Sequence, residues 1–412
     1  MAIISPFRAL RPKKELAPRV ASKPYDVLNS AEARIEAGSN EMSFLHVTKS
    51  EIDLPESVDV HSSQVYEKAK QNLEGMRKKE LLFMEEKPCY YIYTLVMNGR
   101  SQTGIVCTSS VDDYNNNIIR KHEFTRPEKE LDRINHIKVT GAQTGNVFLA
   151  YKNVPDIDSL VSRWKETHQP EYDFVADDGV KHTIWVIDED SAIAELTTLF
   201  DRRVPFTYIA DGHHRAASAA KVSSELGASA TRESRFFLTT LFPAAELKIL
   251  DYNRLVKDLD GLEAEDLISQ VHDNFDVTLI GDEPYVPENL HDFGMYLEGK
   301  WYKLTAVEDS YNNDPIGVLD VSILSRNILD KILGIKDQRT DKRIDFVGGI
   351  RGLKELQKRV DSGEMKVAFS LYPVSIQQLF DIADSGEVMP PKSTWFEPKL
   401  RDGLLTHLIY EG

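Results

Sequence analysis

An Asn-Gly pair set between two apolar runs is the feature that most constrains how this chain folds. Residues 90–97 (Tyr-Tyr-Ile-Tyr-Thr-Leu-Val-Met) and 102–108 (Gln-Thr-Gly-Ile-Val-Cys-Thr) flank Asn98-Gly99. A two-residue turn of this kind needs positive φ at both central positions, which Asn and Gly tolerate. Its twist also matches that of paired antiparallel strands. A core sheet with at least one antiparallel hairpin follows.

Helical and strand patterns alternate around that hairpin. Helices are predicted over 30–37 (Ser30 as cap, Gly38 as stop), 61–86, from Pro127 onward, 156–167, 192–201 and 216–226. The spacing of Val65, Ala69, Leu73, Met76 and Leu81 carries the second of these. Proline at a first helical position marks the third. Short strands are predicted at 44–47, 147–151, 183–187, 205–210 and 236–242. Beyond residue 260 the pattern continues with helices at 265–275, 349–361 and 375–385 and a last strand at 403–410. The expected fold class is α+β, mixed α/β. The expected division is an N-terminal α+β domain at 1–175, a central phosphate-binding unit at 176–260 and a C-terminal α+β region at 261–412.

Charge narrows the function classes. The 412 residues carry a formal net charge of −16, which argues against nucleic acid as a partner, because backbone phosphates need a basic face. No apolar run reaches the length of a membrane span, and residues 1–8 lack a leader-type apolar core, so no membrane partner and a cytoplasmic location are expected. Cys89 and Cys107 lie in strand-like apolar runs and are expected to be buried thiols. The oligomeric state stays open at this level.

Chemistry concentrates in Asp211-Gly212-His213-His214-Arg215, between a predicted strand and an Ala-rich helix ending at Gly227. Gly212 permits a tight turn and close approach of a ligand to backbone. Free N–H groups and the dipole at a helix start favour an anion. Arg215 offers a planar fork matched to phosphate oxygens. His213 and His214 can donate hydrogen bonds or move a proton, and Asp211 can orient either ring or bind a hydroxyl. The plain alternative is a helix capped by Asp211 with two solvated histidines. No metal site is assigned: adjacent histidines do not converge on one ion, and no third ligand stands near them in the sequence.

Other polar clusters supply further candidates. In His122-Glu123-Phe124-Thr125, Glu123 is expected as a general base or a Mg2+ ligand, and Arg126, Lys129 and Arg133 as phosphate contacts. Lys129 shares a helix face with Arg133 and with Asp132, so a solvated ion-paired helix is the competing reading. Lys392-Ser393-Thr394, between Pro390-Pro391 and Pro398, is expected to grip a phosphate or carboxylate, with an ordinary turn as the alternative. Arg254 is a further anion candidate. Tyr25-Asp26 after Pro24 either lines a pocket or packs the N-terminal arm.

Two resemblances enter here. The 211–215 loop resembles the G-x-H/R-R strand–turn–helix motif of the ParB/sulfiredoxin superfamily, which binds nucleotide phosphates. Sulfiredoxin-like members have a catalytic cysteine where His213 stands, so sulfinic-acid repair is not expected. ParB proteins have an acidic residue there and a following DNA-binding helix-turn-helix that this chain lacks. The Asp-Gly-His version of the superfamily's free-serine kinases is the nearest match. Over nearly the whole chain, Pro6-Phe7-Arg8, Pro24-Tyr25-Asp26-Val27, the His122–Arg133 segment, the 211–215 loop and the run from Met389 to Leu400 look like a large bacterial family, domain of unknown function 1015. That resemblance implies a context in phosphorylated serine biosynthesis.

The resulting expectation is a phosphotransfer enzyme acting on serine or O-phosphoserine, a small phosphorylated substrate, as phosphatase or kinase. Asp211, His213, His214 and Glu123 would carry the catalysis. Gly212, Arg215, Lys392, Ser393, Thr394, Arg126, Lys129, Arg133 and Arg254 would bind phosphate and substrate. ATP or ADP and Mg2+ are the expected cofactors. The alternative is a ParB-like nucleotide-binding regulator with no DNA-binding module.

Overall fold

In a computed structural model, which describes residues 1–410, the chain forms two compact units. One comprises Met1–Leu247 together with Pro398–Gly412, the other Lys248–Glu397. The hairpin forms as the turn chemistry requires. Strands Tyr90–Met97 and Arg100–Ser110 pair antiparallel down to Met97 opposite Arg100. Asn98 and Gly99 have φ of 51° and 77°.

The hairpin lies inside a nine-stranded sheet of the first unit. Its order runs from Ile119–Arg120 through Thr207–Asp211, Val147–Tyr151, Phe236–Pro243 and Arg100–Ser110 to Tyr90–Met97, Lys181–Ile187 and Tyr172–Val175. Ile4–Ser5 pairs with the same strand as the hairpin's second arm. Two pairings are parallel, Thr207–Asp211 with Ile119–Arg120 and Phe236–Pro243 with Val147–Tyr151; the rest are antiparallel. The sheet is therefore mixed and the class α+β. Ile92, Ile105, Cys107, Leu149, Ile209 and Leu241 fill the core on one face, where helix residues Leu196, Phe200 and Ala216 meet them. Both cysteines are buried, and desolvation pushes each thiol up to about 12. The second unit holds an antiparallel six-stranded sheet, from Phe275–Gly281 to Ile344–Gly348, packed around Leu255, Trp301, Leu356 and Ala368.

Several boundaries differ from those expected. Strands of 1–175 and of 176–247 share one sheet, so a division at 175 does not separate compact units. Residues 44–47 are helical rather than extended: the helix spans Leu45–Thr48, and Phe44, Leu45 and Val47 are all buried. Four residues, with part-buried His46 between Leu45 and Val47, are too few to show a helical period. The 61–86 pattern splits into helix Ser63–Lys78 and strand Leu82–Met84, with Glu80 at φ 54° making the turn. Asn29, not Ser30, caps helix Ser30–Ala37; its side chain accepts from Glu32 N, and Glu32 returns the bond to Asn29 N. Helix 265–275 is Ala264–Val271, because Phe275 opens a strand. The 349–361 helix is a short 3-10 turn followed by Leu353–Asp361, and the last strand contracts to Thr406–Leu408. Among the described residues no helix is long and apolar enough to cross a membrane.

Candidate functional site

Sheet topology assembles the site. Strand Thr207–Asp211 and short strand Ile119–Arg120 run parallel, so the chain leaves both at the same end. One exit is the 211–215 loop; the other is the His122–Arg126 segment. Strand Val147–Tyr151 runs the opposite way and begins at that end, which brings Asn146 alongside.

Gly212 makes the turn with φ 95°. A Cβ there would stand 3.1 Å from Arg215 Nε and 3.4 Å from the Val147 Cα, so both backbone angle and space call for glycine. The helix then starts at His213, earlier than the expected Ala216, and runs to Leu226. The polar loop residues are thus the first helical turn.

A second helix, Pro127–Thr140, begins at the same place. His214 Nε2 accepts the Arg126 backbone N–H at 2.9 Å. One turn further along each helix, Ser218 Oγ donates to the Glu130 carbonyl at 3.1 Å. Both partners advance by four residues in the same direction, so the two helices lie side by side and parallel. Their positive ends add at one spot, an arrangement suited to an anion. Beside it lies a cavity of about 320 Å3, whose wall includes Tyr25, Lys129, Asp132, Arg133, His136 and His214.

The charged groups have definite partners. Arg215 donates to the Asn146 carbonyl, and its Nη2 lies 3.3 Å from Asp26 and 3.6 Å from Asp211. Its fork is thus engaged with protein groups that hold the loop. Burial would raise the Asp211 carboxyl, but Lys399 (Nζ–Oδ2 3.0 Å) and Arg215 outweigh it and hold the group below the usual carboxylate range. Two nitrogens of Arg133 meet one oxygen of Asp132, Nε–Oδ2 2.8 Å and Nη2–Oδ2 2.5 Å, and the guanidinium lies 4.0 Å over the Tyr25 ring. Asp132 also accepts from Tyr66 Oη at 2.9 Å. The ion-paired reading of this helix therefore holds for Arg133, with Asp132 as its partner.

The surroundings of both loop histidines favour the neutral ring. Burial, with Lys129 next, pushes His214 down to about 4. Burial and the neighbouring His122 push His213 well below its ordinary value. His213 is 5% exposed, its Nδ1 is 4.0 Å from Glu123 Oε2, and its Nε2 accepts the His122 N–H at 3.5 Å. The two rings meet edge to face with centroids 4.5 Å apart. His122 Nδ1 is enclosed without a hydrogen-bond partner, a condition that costs about 1–3 kcal/mol.

The structure thus brings Asp211, Gly212, His213, His214, Arg215, Glu123, Arg126, Lys129 and Arg133 to one end of one sheet. Arg254, Lys392, Ser393 and Thr394 belong to the other unit. Arg254 is fully buried there and donates to the Tyr252 carbonyl and, at 3.1 Å, to that of Pro391. Ser393 Oγ donates to the Pro390 carbonyl at 2.6 Å, so its hydroxyl closes the turn. Lys392 has φ 59° and is exposed. Sequence reasoning missed His122 as a partner of His213, and Asn146 and Lys399 as partners of Arg215 and Asp211. The Pro398-Lys399-Leu400 run was the signal for one of these; the others have none short of the fold.

Mixed sheet, glycine turn and paired helix starts define an α+β protein whose strand–turn–helix loop meets the start of a second helix. The chain belongs to the family described as protein of unknown function (DUF1015), whose profile matches residues 4–322. No curated protein matches the sequence. Among solved structures it is similar to a free serine kinase in complex with AMP, at 13% identity and TM-score 0.36, covering 71% of this chain and 86% of that one. It is also similar to a conserved hypothetical protein from Pyrococcus furiosus, at 16% identity and TM-score 0.36, covering 74% and 95%. A third is SbnI with C-terminal truncation from Staphylococcus aureus, at 12% identity and TM-score 0.38, covering 74% and 87%. Likenesses of this size carry no argument about activity.

Proposed function

We propose that this protein is a small-molecule phosphoryl-transfer enzyme acting on serine or O-phosphoserine. The observation that carries the reading is the convergence of two parallel helix starts, at Arg126 and Gly212, beside a cavity walled by Lys129 and His214. Phosphoryl transfer depends mainly on positioning and on offsetting charge at the transferred group, and this end of the sheet supplies both. The Asp-Gly-His form of the loop and the serine-biosynthesis context implied by the family resemblance support the substrate class.

Glu123 is the base in this reading. It is part exposed and can take the proton of a serine hydroxyl or of a water. Asp211 is less suited, since a carboxyl held below its usual range by Lys399 and Arg215 is a weak base. Because His213 Nε2 accepts the His122 amide, the ring proton sits on Nδ1, toward Glu123, where it can steady the carboxylate and return a proton. Backbone N–H groups of the two helix starts and Lys129 receive the phosphate. Arg215 holds the loop's shape through Asn146 and Asp26. In the kinase direction the donor is a nucleotide, ATP or ADP, whose phosphates suit the same helix starts.

The test is phosphate release from O-phosphoserine, alongside phosphoserine formation from serine with ATP or ADP, by wild type and Glu123→Gln. Release in wild type and at least a hundredfold loss in the variant supports a phosphatase. Product only with nucleotide supports a kinase. No turnover in any tube, with nucleotide still retained, overturns the reading in favour of a nucleotide-binding regulator.

A further inference from the structure

His122 and His213 reach one buried corner from positions 91 residues apart. They are 2% and 5% exposed. The buried His122 Nδ1 has no hydrogen-bond partner, which leaves this nitrogen available to a ligand.

Glu123 completes the group. Its Oε2 stands 4.0 Å from His213 Nδ1, too far for a hydrogen bond. One ligand atom from each of His122, Glu123 and His213 lies within 4.8 Å of the others. Ligand atoms around a tetrahedral ion with bonds of about 2.0–2.2 Å lie roughly 3.3–3.6 Å apart, so the widest pair must close by up to about 1.2–1.5 Å. Glu123 has the reach, being part exposed on a flexible stem. For His213 to ligate through Nδ1 its proton moves to Nε2, and the 3.5 Å contact with the His122 amide must open, because two N–H groups would then face each other.

We propose that His122, Glu123 and His213 form a binding site for one divalent transition-metal ion, with zinc the best match. Two imidazoles and one carboxylate are a zinc-type donor set that leaves a fourth position open. Mg2+ demands an oxygen shell and does not suit two nitrogen donors, so the magnesium expected at Glu123 is replaced by a softer ion. Asp211, close enough to act electrostatically on both histidines, adds negative charge beside the site. The inference concerns binding and does not rest on the phosphotransfer reading.

The experiment uses the full-length protein, stripped with a chelator and titrated separately with zinc, manganese and magnesium chlorides by calorimetry. Zinc per chain is counted by elemental analysis after gel filtration, and cobalt(II) absorption reports the donor geometry. The expected result is one zinc per chain, bound at least a hundredfold more tightly than magnesium, with a tetrahedral cobalt spectrum. Glu123→Gln, which alters a part-exposed side chain, should weaken zinc at least tenfold and keep its thermal midpoint in the metal-free state; His122→Ala should abolish the site. Wild type that holds no zinc, or Glu123→Gln that binds zinc as wild type does, overturns the proposal. Both outcomes are read from metal binding alone, and phosphoserine turnover is measured separately on the metal-free protein.

Discussion

His214 Nε2 and the backbone N–H of Arg126 are joined at 2.9 Å, and this bond ties the first turn of one helix to the start of another. The neutral ring is required, since only an unprotonated nitrogen accepts. His214→Ala should lower stability by about 1 kcal/mol, the usual net worth of one hydrogen bond. It should also weaken binding of inorganic phosphate several-fold, because the two helix starts are no longer held together. His214→Gln, whose amide oxygen can accept, should recover part of both. Denaturant titration and calorimetry read the two effects.

Gly212 carries a different burden. Its φ of 95° disfavours any side chain, and a Cβ would also press on the Arg215 guanidinium at 3.1 Å. Gly212→Ala should cost about 1–3 kcal/mol, as expected for a non-glycine residue forced into sparse backbone space. The measurement is the urea midpoint, and an unchanged midpoint would contradict the assigned geometry.

Lys129 stands exposed on the cavity wall. Lys129→Ala should raise KM for a phosphorylated substrate about tenfold, worth about 1.4 kcal/mol at 25 °C, with kcat and the thermal midpoint little changed. The penalty should shrink at high salt, because an exposed charge is screened.

His182 makes the first unit sensitive to acid. It is fully buried; Nδ1 meets Tyr93 Oη at 2.8 Å, and Nε2 accepts from Arg401 Nε at 3.3 Å. Burial, then the Arg401 charge, push it down to about 3 from 6.5. The folded state therefore binds fewer protons than the unfolded state between those values. Stability is present above pH 6.5 and falls as pH drops toward 3, by about 1.4 kcal/mol per unit from this group. His182→Gln should flatten that slope by about one proton in urea titrations run from pH 7 to pH 4.

Arg254 tests the other unit. Its guanidinium is enclosed, and burial lowers it to about 10. Arg254→Ala removes donors from the Tyr252 and Pro391 carbonyls and opens a cavity, so a loss of about 3–5 kcal/mol is expected. Phosphate binding measured by calorimetry on the folded variant should match wild type; a large loss there would return Arg254 to the list of anion contacts.

Local chemistry explains which elements were legible in the sequence. The Asn98-Gly99 turn, the proline-led helix at Pro127 and strand Val147–Tyr151 each have a short-range cause, and each forms where it was read. The run at 44–47 forms a helix and the 61–86 pattern breaks before its end because four residues are too few to show a period, and one residue at positive φ leaves no periodic trace.

By itself the sequence determined the α+β class, the burial of both cysteines and the loop with a glycine at its turn, because turn preference, hydrophobic period and helix capping act over a few residues. Only the tertiary structure decided what stands beside that loop. Parallel pairing of Thr207–Asp211 with Ile119–Arg120 delivers His122 and Glu123 to His213, and the antiparallel neighbour delivers Asn146 to Arg215. Such contacts depend on strand order and direction, which are set by how whole elements share a core and leave no mark in the spacing of the residues they join.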